Sequence, residues 1–388
     1  MRRKEIDYIL MKMLKSKKSI SDLNFTPGKP IQIESDGELI PVRMTPNFNN
    51  LTAFQTEIIA LNLINNSREL TESLLKHGSC DFSYQLRDSV RFRVNVFSRS
   101  GKYSIAMRKL ETVIPTIQEL NLPDVFYQMA EEKNGLLFVT GATGVGKSTS
   151  LAALLNHINE NKAYHVITLE DPIEFQHSQK QSTFNQRELA TDFDTFENGL
   201  RAAMRQAPKV ILVGEMRDRE TIEIGLAAAE TGHLVVTTLH TADAGQTINR
   251  VLGMFNTEEE KLIRVRLADA LKWVVSQKLL PKTGGSRIAA FEVMCTSLRV
   301  KDSILHGESE GNSFAEIIKQ GSARSMISFD EYIINLYEQG LIEENTANVY
   351  ATRKDIVGRG IDTIKSSRGE STSDIESLEL DRGYRRSN

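Results

Sequence analysis

Residues 135–155 read GLLFVTGATGVGKSTSLAALL, and this stretch decides the fold. Leu136 to Thr140 form an apolar run that reads as a buried strand. Ser150 to Ile158 then carry a helical pattern. Between them, Gly141, Gly146, Lys147 and Ser148 fit the spacing G-x-x-x-x-G-K-[ST]. Chance alone produces such a match in 388 residues on the order of one time in a hundred. The strand–loop–helix context lowers that further. Gly141, Gly144 and Gly146 let the backbone wrap closely and aim N–H groups inward at phosphates. The helix that follows adds its positive end. Lys147 is expected to reach the β- and γ-phosphates, and the Ser148 hydroxyl to ligate Mg²⁺. The candidate nucleotide contacts therefore run through Gly141, Ala142, Thr143, Gly144, Val145, Gly146, Lys147, Ser148 and Thr149.

Downstream, strands HVITLED, KVILVGE and HLVVTTLH alternate with helical segments. That rhythm signals a parallel sheet with right-handed crossovers. After the last strand more helices are expected, and residues 297–350 read as helical. Ligands of such sheets lie outside the carboxyl ends of the strands. Two acidic clusters sit there: Glu170, Asp171 and Glu174, then Glu215 and Asp218. Many P-loop ATPases end the second of these strands in a metal-binding aspartate followed by a water-positioning glutamate. Here Gly214 fills the aspartate slot and Glu215 remains. Glu215 can serve as base, leaving Glu170 or Asp171 for the metal. His233 and His240 bracket the run Leu234–Leu239. Seven strand steps put them on opposite faces, roughly 23 Å apart at about 3.3 Å per residue, so one ion cannot bind both.

Before the loop, residues 19–110 alternate strand-like pieces (SDLNF, IQIES, DFSYQL, VRFRVNVF, YSIAMRKL) with helical patterns at 52–65 and 68–77, an α+β arrangement. Arg91 and Arg93 flank Phe92 and share a strand face, and Arg99 and Arg108 follow. Pro115 and Pro123 mark a linker. The basic N-terminus is interrupted by Asp7 and Lys12, which a signal peptide would not tolerate, and Ile6, Ile9, Leu10, Met13 and Leu14 make a helical stripe. No apolar run approaches a membrane span. Two cysteines and no signal peptide predict a cytoplasmic, disulfide-free chain. A net charge of −3 gives no reason to invoke nucleic acid. The Ser- and charge-rich end, 366–388, is expected to be a disordered tail.

The segments VTGATGVGKST, ITLEDPIEF, ILVGEMRDRETIEIGLAAAETGH and TLHTADAGQTINRV, in that order, resemble the PilT-type ATPases of the secretion-ATPase superfamily. The resemblance covers residues 19–350 and includes RFRVNVF, IPTIQELNLP, SQKLLP and AAFEVM. It implies an α/β chain: an N-terminal α+β, PAS-like domain over 1–112, a linker at 113–122, and a RecA-like P-loop ATPase domain with C-terminal helices over 123–365. It also implies a homohexameric, ATP- and Mg-dependent motor for type IV pilus retraction. Such a motor works at the cytoplasmic face of the inner membrane, against a pilus platform protein, peripheral to the membrane and without nucleic acid. Glu170–Glu174 matches the family's Asp box, Gly214-Glu215 its atypical Walker B element, and His233–His240 its His box, whose histidines sense the nucleotide state. The implied catalytic set is Glu215, Glu170, His240, Arg93 and Arg108, with His233 among the nucleotide contacts and Ser148 and Glu170 on Mg²⁺. Arg93 and Arg108 match the arginines that neutralise charge at the γ-phosphate; Arg99 sits one position off, where the family's arginine falls on Ser100.

Departures from the family pattern are LRVKDSILHGE at 298–308, Asn24 in place of a histidine, and RQAPKV before the Glu215 strand. These leave open an accessory PilU-like paralogue or another secretion-system ATPase; against a further alternative, a non-hydrolysing ring subunit, stand Lys147, Ser148 and Glu215. The assembly branch carries a four-cysteine zinc site, which two cysteines cannot build.

Overall fold

The computed structural model describes residues 3–17, 19–35, 37–44, 50–86, 90–110 and 113–370. The N-terminal elements are helix α1 (Arg3–Leu14), strands β1 (Asp22–Phe25), β2 (Gln32–Ser35) and β3 (Glu38–Pro41), helices α2 (Ala53–Ile64) and α3 (Arg68–His77), and strands β4 (Ser79–Leu86), β5 (Val90–Arg99) and β6 (Lys102–Lys109). The strands form one antiparallel sheet in the order β3-β2-β1-β6-β5-β4. Its core takes the α1 stripe of Ile6, Ile9, Leu10 and Met13 together with Phe92, Val94 and Val96 of β5. Each such large side chain contributes roughly 1.5–3 kcal/mol by leaving water. Helix α2 starts at Thr52, whose hydroxyl accepts from the Gln55 N–H in a reciprocal capping box, and α3 stops at Gly78 with φ 77°. With the even positions of β5 committed to the core, Arg91 and Arg93 share its other face, as the alternation requires.

Next come α4 (Val125–Glu131), β7 (Gly135–Thr140), α5 (Lys147–Asn161), β8 (His165–Glu170), β9 (Thr183–Glu188), α6 (Phe196–Ala203), β10 (Val210–Val213), α7 (Arg219–Glu230), β11 (Leu234–Leu239), α8 (Ala244–Leu252), α9 (Thr257–Ala270), β12 (Leu271–Pro281) and β13 (Arg287–Cys295). Helices α10 (Leu298–His306), α11 (Phe314–Lys319), α12 (Phe329–Glu338), α13 (Glu344–Tyr350) and α14 (Lys354–Arg368) follow among the described residues, with a short 3₁₀ turn at Ser322–Arg324. No helix among the described residues is long and apolar enough to cross a membrane.

The chain divides into two compact units, Met1–Val139 with Lys147–Leu239 and Gly253–Lys272, and Thr140–Gly146 with His240–Leu252 and Trp273–Asn388. Besides the antiparallel sheet, the first unit contains strands in the order β7-β11-β10-β8-β9. The pairs β8–β9, β8–β10 and β10–β11 are parallel, and β10 and β11 are buried along their whole length. Such two-sided burial is what their unbroken apolar runs predict. Strand β9, within what reads as a polar connection, was not expected.

In the second unit β12 and β13 pair antiparallel from Trp273↔Cys295 to Pro281↔Arg287. Helices were expected over much of this stretch. Instead α9 ends at Ala270 and β12 begins at the next residue, with neither Gly nor Pro to mark the change. A second core gathers Leu280, Ile288 and Ala290 of this hairpin with Phe329, Ile333, Leu336, Val357 and Ile361 of α12 and α14. Helix α14 runs to Arg368, three residues into the stretch expected to be tail, and residues 371–388 lie outside the described residues.

Candidate functional site

The loop after β7 is held open by backbone conformation. Gly141, Gly144 and Gly146 have φ of 139°, 79° and 92°, a region L side chains rarely adopt. Gly141 also lies under β12: a Cβ there would stand 2.4 Å from the Gln277 carbonyl oxygen. The Gln277 side chain donates to the Val145 carbonyl at 2.7 Å, and the Thr140 hydroxyl donates to Ser276 Oγ at 2.9 Å. Gln277 thus braces the loop from outside. Its role was missed in the sequence, where the one available signal is a polar Ser276-Gln277 pair that follows the apolar run Trp273-Val274-Val275.

Lys147 opens α5 and is buried. Burial pushes its ammonium below the usual lysine range, while the carboxylates of Glu215 and Glu174 push it back up. A cation so placed, at the positive end of a helix, is suited to a phosphate chain. Ser148 is exposed on the same first turn. Glu215 follows β10 and pairs with Arg217 at 2.8 Å. The preceding Gly214 is fixed by its neighbours: its N–H donates to Leu169 O at 2.8 Å, and its carbonyl accepts from the Thr238 hydroxyl at 2.6 Å. A Cβ at Gly214 would come within 3.2 Å of that Leu169 oxygen. The aspartate slot is therefore sterically tight, and Glu215, the next residue, is the acid that remains.

Glu170 ends β8 and is half-buried. Burial raises it to about 7, against hydrogen bonds donated by the Thr168 hydroxyl at 2.6 Å and the Gln186 amide at 3.1 Å. A carboxyl near neutrality can exchange a proton at physiological pH. Asp171 is also raised by burial, with Arg93 and Arg217 opposing. No cluster of three or more His, Cys, Asp or Glu suited to a metal occurs among the described residues. Mg²⁺ in phosphate sites needs only one or two protein oxygens beside phosphates and waters, so Ser148 with an acidic residue fits that pattern. Of the acids expected there, Glu170 is the one already held by Thr168 and Gln186.

The histidines stand where the strand reading put them, one before and one after β11. The His233 ring closes the end of α7, its Nδ1 at 2.9 Å from Ala228 O, so that nitrogen carries the proton and donates. His240 is exposed. In the N-terminal sheet, Arg93 pairs in register with Arg108, and Arg91 reaches Glu188.

The sequence pattern described as Type II/IV secretion system protein matches residues 17–366. The chain belongs to this family. It is 38% identical over 333 residues to the Pseudomonas aeruginosa type IV pilus retractation ATPase PilT, covering 86% of this chain and 94% of that one. Identity to the type IV pilus ATPase PilU of the same organism is 36%, covering 85% of each. A twitching motility protein of Neisseria gonorrhoeae shares 42% over 269 residues, 69% of this chain and 71% of the relative. Among solved structures, the pilus retraction motor PilT with bound ADP superposes with a TM-score of 0.79 at 36% identity, covering 92% of this chain and 99% of that one. The Legionella pneumophila ATPase DotB gives 0.78 at 28%, covering 88% and 95%. Within the family, then, the chain is of the PilT type, with the α/β fold of that ATPase group.

Proposed function

We propose that this chain hydrolyses ATP as a homohexamer and that the work drives type IV pilus retraction. The observation that carries the reading is Lys147, buried at the start of α5, next in sequence after three positive-φ glycines, and within the field of Glu215 and Glu174. The domains of the proposal are an N-terminal α+β domain over 1–112, a linker at 113–122, and an ATPase domain over 123–365. In this reading the loop N–H groups of Gly141 to Gly146 and the Lys147 ammonium hold the phosphates. Ser148, with Glu170 or Asp171, would hold Mg²⁺, which supplies countercharge to the phosphate oxygens when bound. Glu215 orients and deprotonates the attacking water. Arg93 and Arg108 neutralise charge that develops at the γ-phosphate. His233 and His240 report the nucleotide state across subunit contacts. Closure of the arginine strand onto the phosphates, and its release, is the stroke passed around the ring. The ring would act at the cytoplasmic face of the inner membrane on a pilus platform protein, with no part for nucleic acid.

Turnover by the purified chain, absent in Lys147→Ala, tests the site. Light scattering with nucleotide should give about six times 43.6 kDa. Deletion in the source organism should leave pili that extend and do not retract. An accessory role beside a main motor is the second reading, because identity to PilU, at 36%, is close to that with PilT, at 38%. It predicts that the deletion strain still retracts, with less force.

A further inference from the structure

We infer that Glu188 is a positioning residue that joins the arginine strand of the N-terminal sheet to the acidic turn after β8. The inference rests on the ATPase reading and extends it. Glu188 is the last residue of β9 and pairs in register with Glu170. Its side chain is 6% exposed and accepts four hydrogen bonds. Two come from β4, the Ser83 N–H at 3.2 Å and the Ser83 hydroxyl at 2.7 Å. One comes from Arg91 of β5 at 2.5 Å. The fourth comes from the Ile173 N–H at 3.2 Å.

Those donors belong to two different parts of the proposed chemistry. Ile173 lies between Asp171 and Glu174, so Glu188 fixes the turn that carries both acids. Gln186, two residues earlier on the same face of β9, holds the same segment at three further points: Glu170 Oε1, the Phe175 carbonyl and the His177 N–H. Ser83 is the cross-strand neighbour of Arg93, and Arg91 is its companion on β5. One carboxylate therefore sets where Arg93 stands relative to Asp171, whose charge Arg93 already favours. The pair is incompletely satisfied: Arg91 Nε is buried without a hydrogen-bond partner. Buried ion pairs with unmet donors are poor stabilisers and better suited to specifying one arrangement.

The test uses the full-length protein carrying Glu188→Gln, which keeps the shape and removes the charge, and Ser83→Ala, which removes one donor only. Turnover per folded protein should fall at least tenfold in Glu188→Gln and two- to threefold in Ser83→Ala, with KM within threefold of wild type. Hydrogen exchange of nucleotide-free protein should quicken together in segments 79–86 and 171–177 in both variants. A lower melting temperature with kcat unchanged would mean a structural role only and overturn the inference. So would exchange that quickens in 79–86 alone. A wild-type protein without turnover would defeat the ATPase reading instead, and the exchange experiment would still decide the coupling. If Glu188→Gln fails to fold, Ser83→Ala decides by the same two readouts.

Discussion

Arg93 of β5 and Arg108 of β6 stand directly opposite each other in register, two like charges on adjacent strands. Each leans on its own carboxylate, Asp81 at 4.0 Å for Arg93 and Asp22 at 3.2 Å for Arg108. Both arginines are largely exposed, so neither pair carries much stability. Cross-strand like charges are unfavourable in themselves. An arrangement of that kind makes sense if an anion is to be met.

Replacing either arginine should therefore hurt turnover and spare the fold. Arg93→Ala and Arg108→Ala are expected to lower kcat by about 10²–10³-fold, the scale of losing a preorganised transition-state donor. Melting temperature should hold steady or rise slightly. Calorimetry beside a steady-state assay checks both; a melting point that drops by many degrees would make the strand face structural.

The glycines of the loop should differ sharply among themselves. Gly141→Ala puts a Cβ 2.4 Å from the Gln277 backbone at φ 139° and must displace the loop. Nucleotide binding should be lost, more than a hundredfold by fluorescent-analogue titration. At Gly144, φ 79°, a Cβ meets open space and only backbone strain remains. That strain is roughly 1–2 kcal/mol. Gly144→Ala should weaken binding by about thirtyfold or less, and equal losses at the two sites would contradict the bracing by β12.

The sequence disclosed the loop and strands β7, β8, β10 and β11 because strands with buried interiors leave apolar runs, and because glycine spacing is set by backbone conformation. It concealed β9. TFNQRE is polar and lies at the end of the strand order, so no hydrophobic pattern reports it; its value lies in Gln186 and Glu188, whose partners are distant in sequence. The β12–β13 hairpin was hidden differently, since Leu271–Pro281 continues a helix without a breaker. Gly214 was legible as a departure, but its reason, the nearby Leu169 carbonyl, exists only in the folded sheet.

Glu170 makes stability depend on pH in a predictable direction. Its carboxyl is raised by burial to about 7 from an ordinary 4.5, so the folded protein holds a proton that the unfolded chain has released. Stability from this group is complete below about 4.5 and declines as pH rises towards 7. Glu170→Gln keeps a neutral acceptor for Thr168 and cannot ionise. Without nucleotide, its melting temperature should match wild type near pH 5 and exceed it at pH 8. A difference that is constant with pH would show that Glu170 is ionised throughout.

Glu215→Gln separates binding from hydrolysis. Glu215 lies one residue past the slot where Gly214 is hemmed in by β8, and Lys147 lies within its field. If it activates water, the amide variant loses the base while Lys147 and the loop N–H groups still hold the phosphates. General-base loss costs about 10²–10⁴-fold in rate. Affinity should change by less than threefold, since removing one carboxylate near Lys147 slightly favours an anionic ligand. The variant should accumulate as an ATP-loaded assembly that scarcely turns over, seen by light scattering and by retained radiolabelled nucleotide. Arg217 would lose its ion pair with the half-buried Glu215, but Arg217 is itself largely in water, so the melting temperature should move little. Loss of binding in Glu215→Gln with binding retained in Glu170→Gln would exchange the roles, giving the metal to Glu215. Normal turnover in Glu215→Gln would move the base to the Glu170–Glu174 turn.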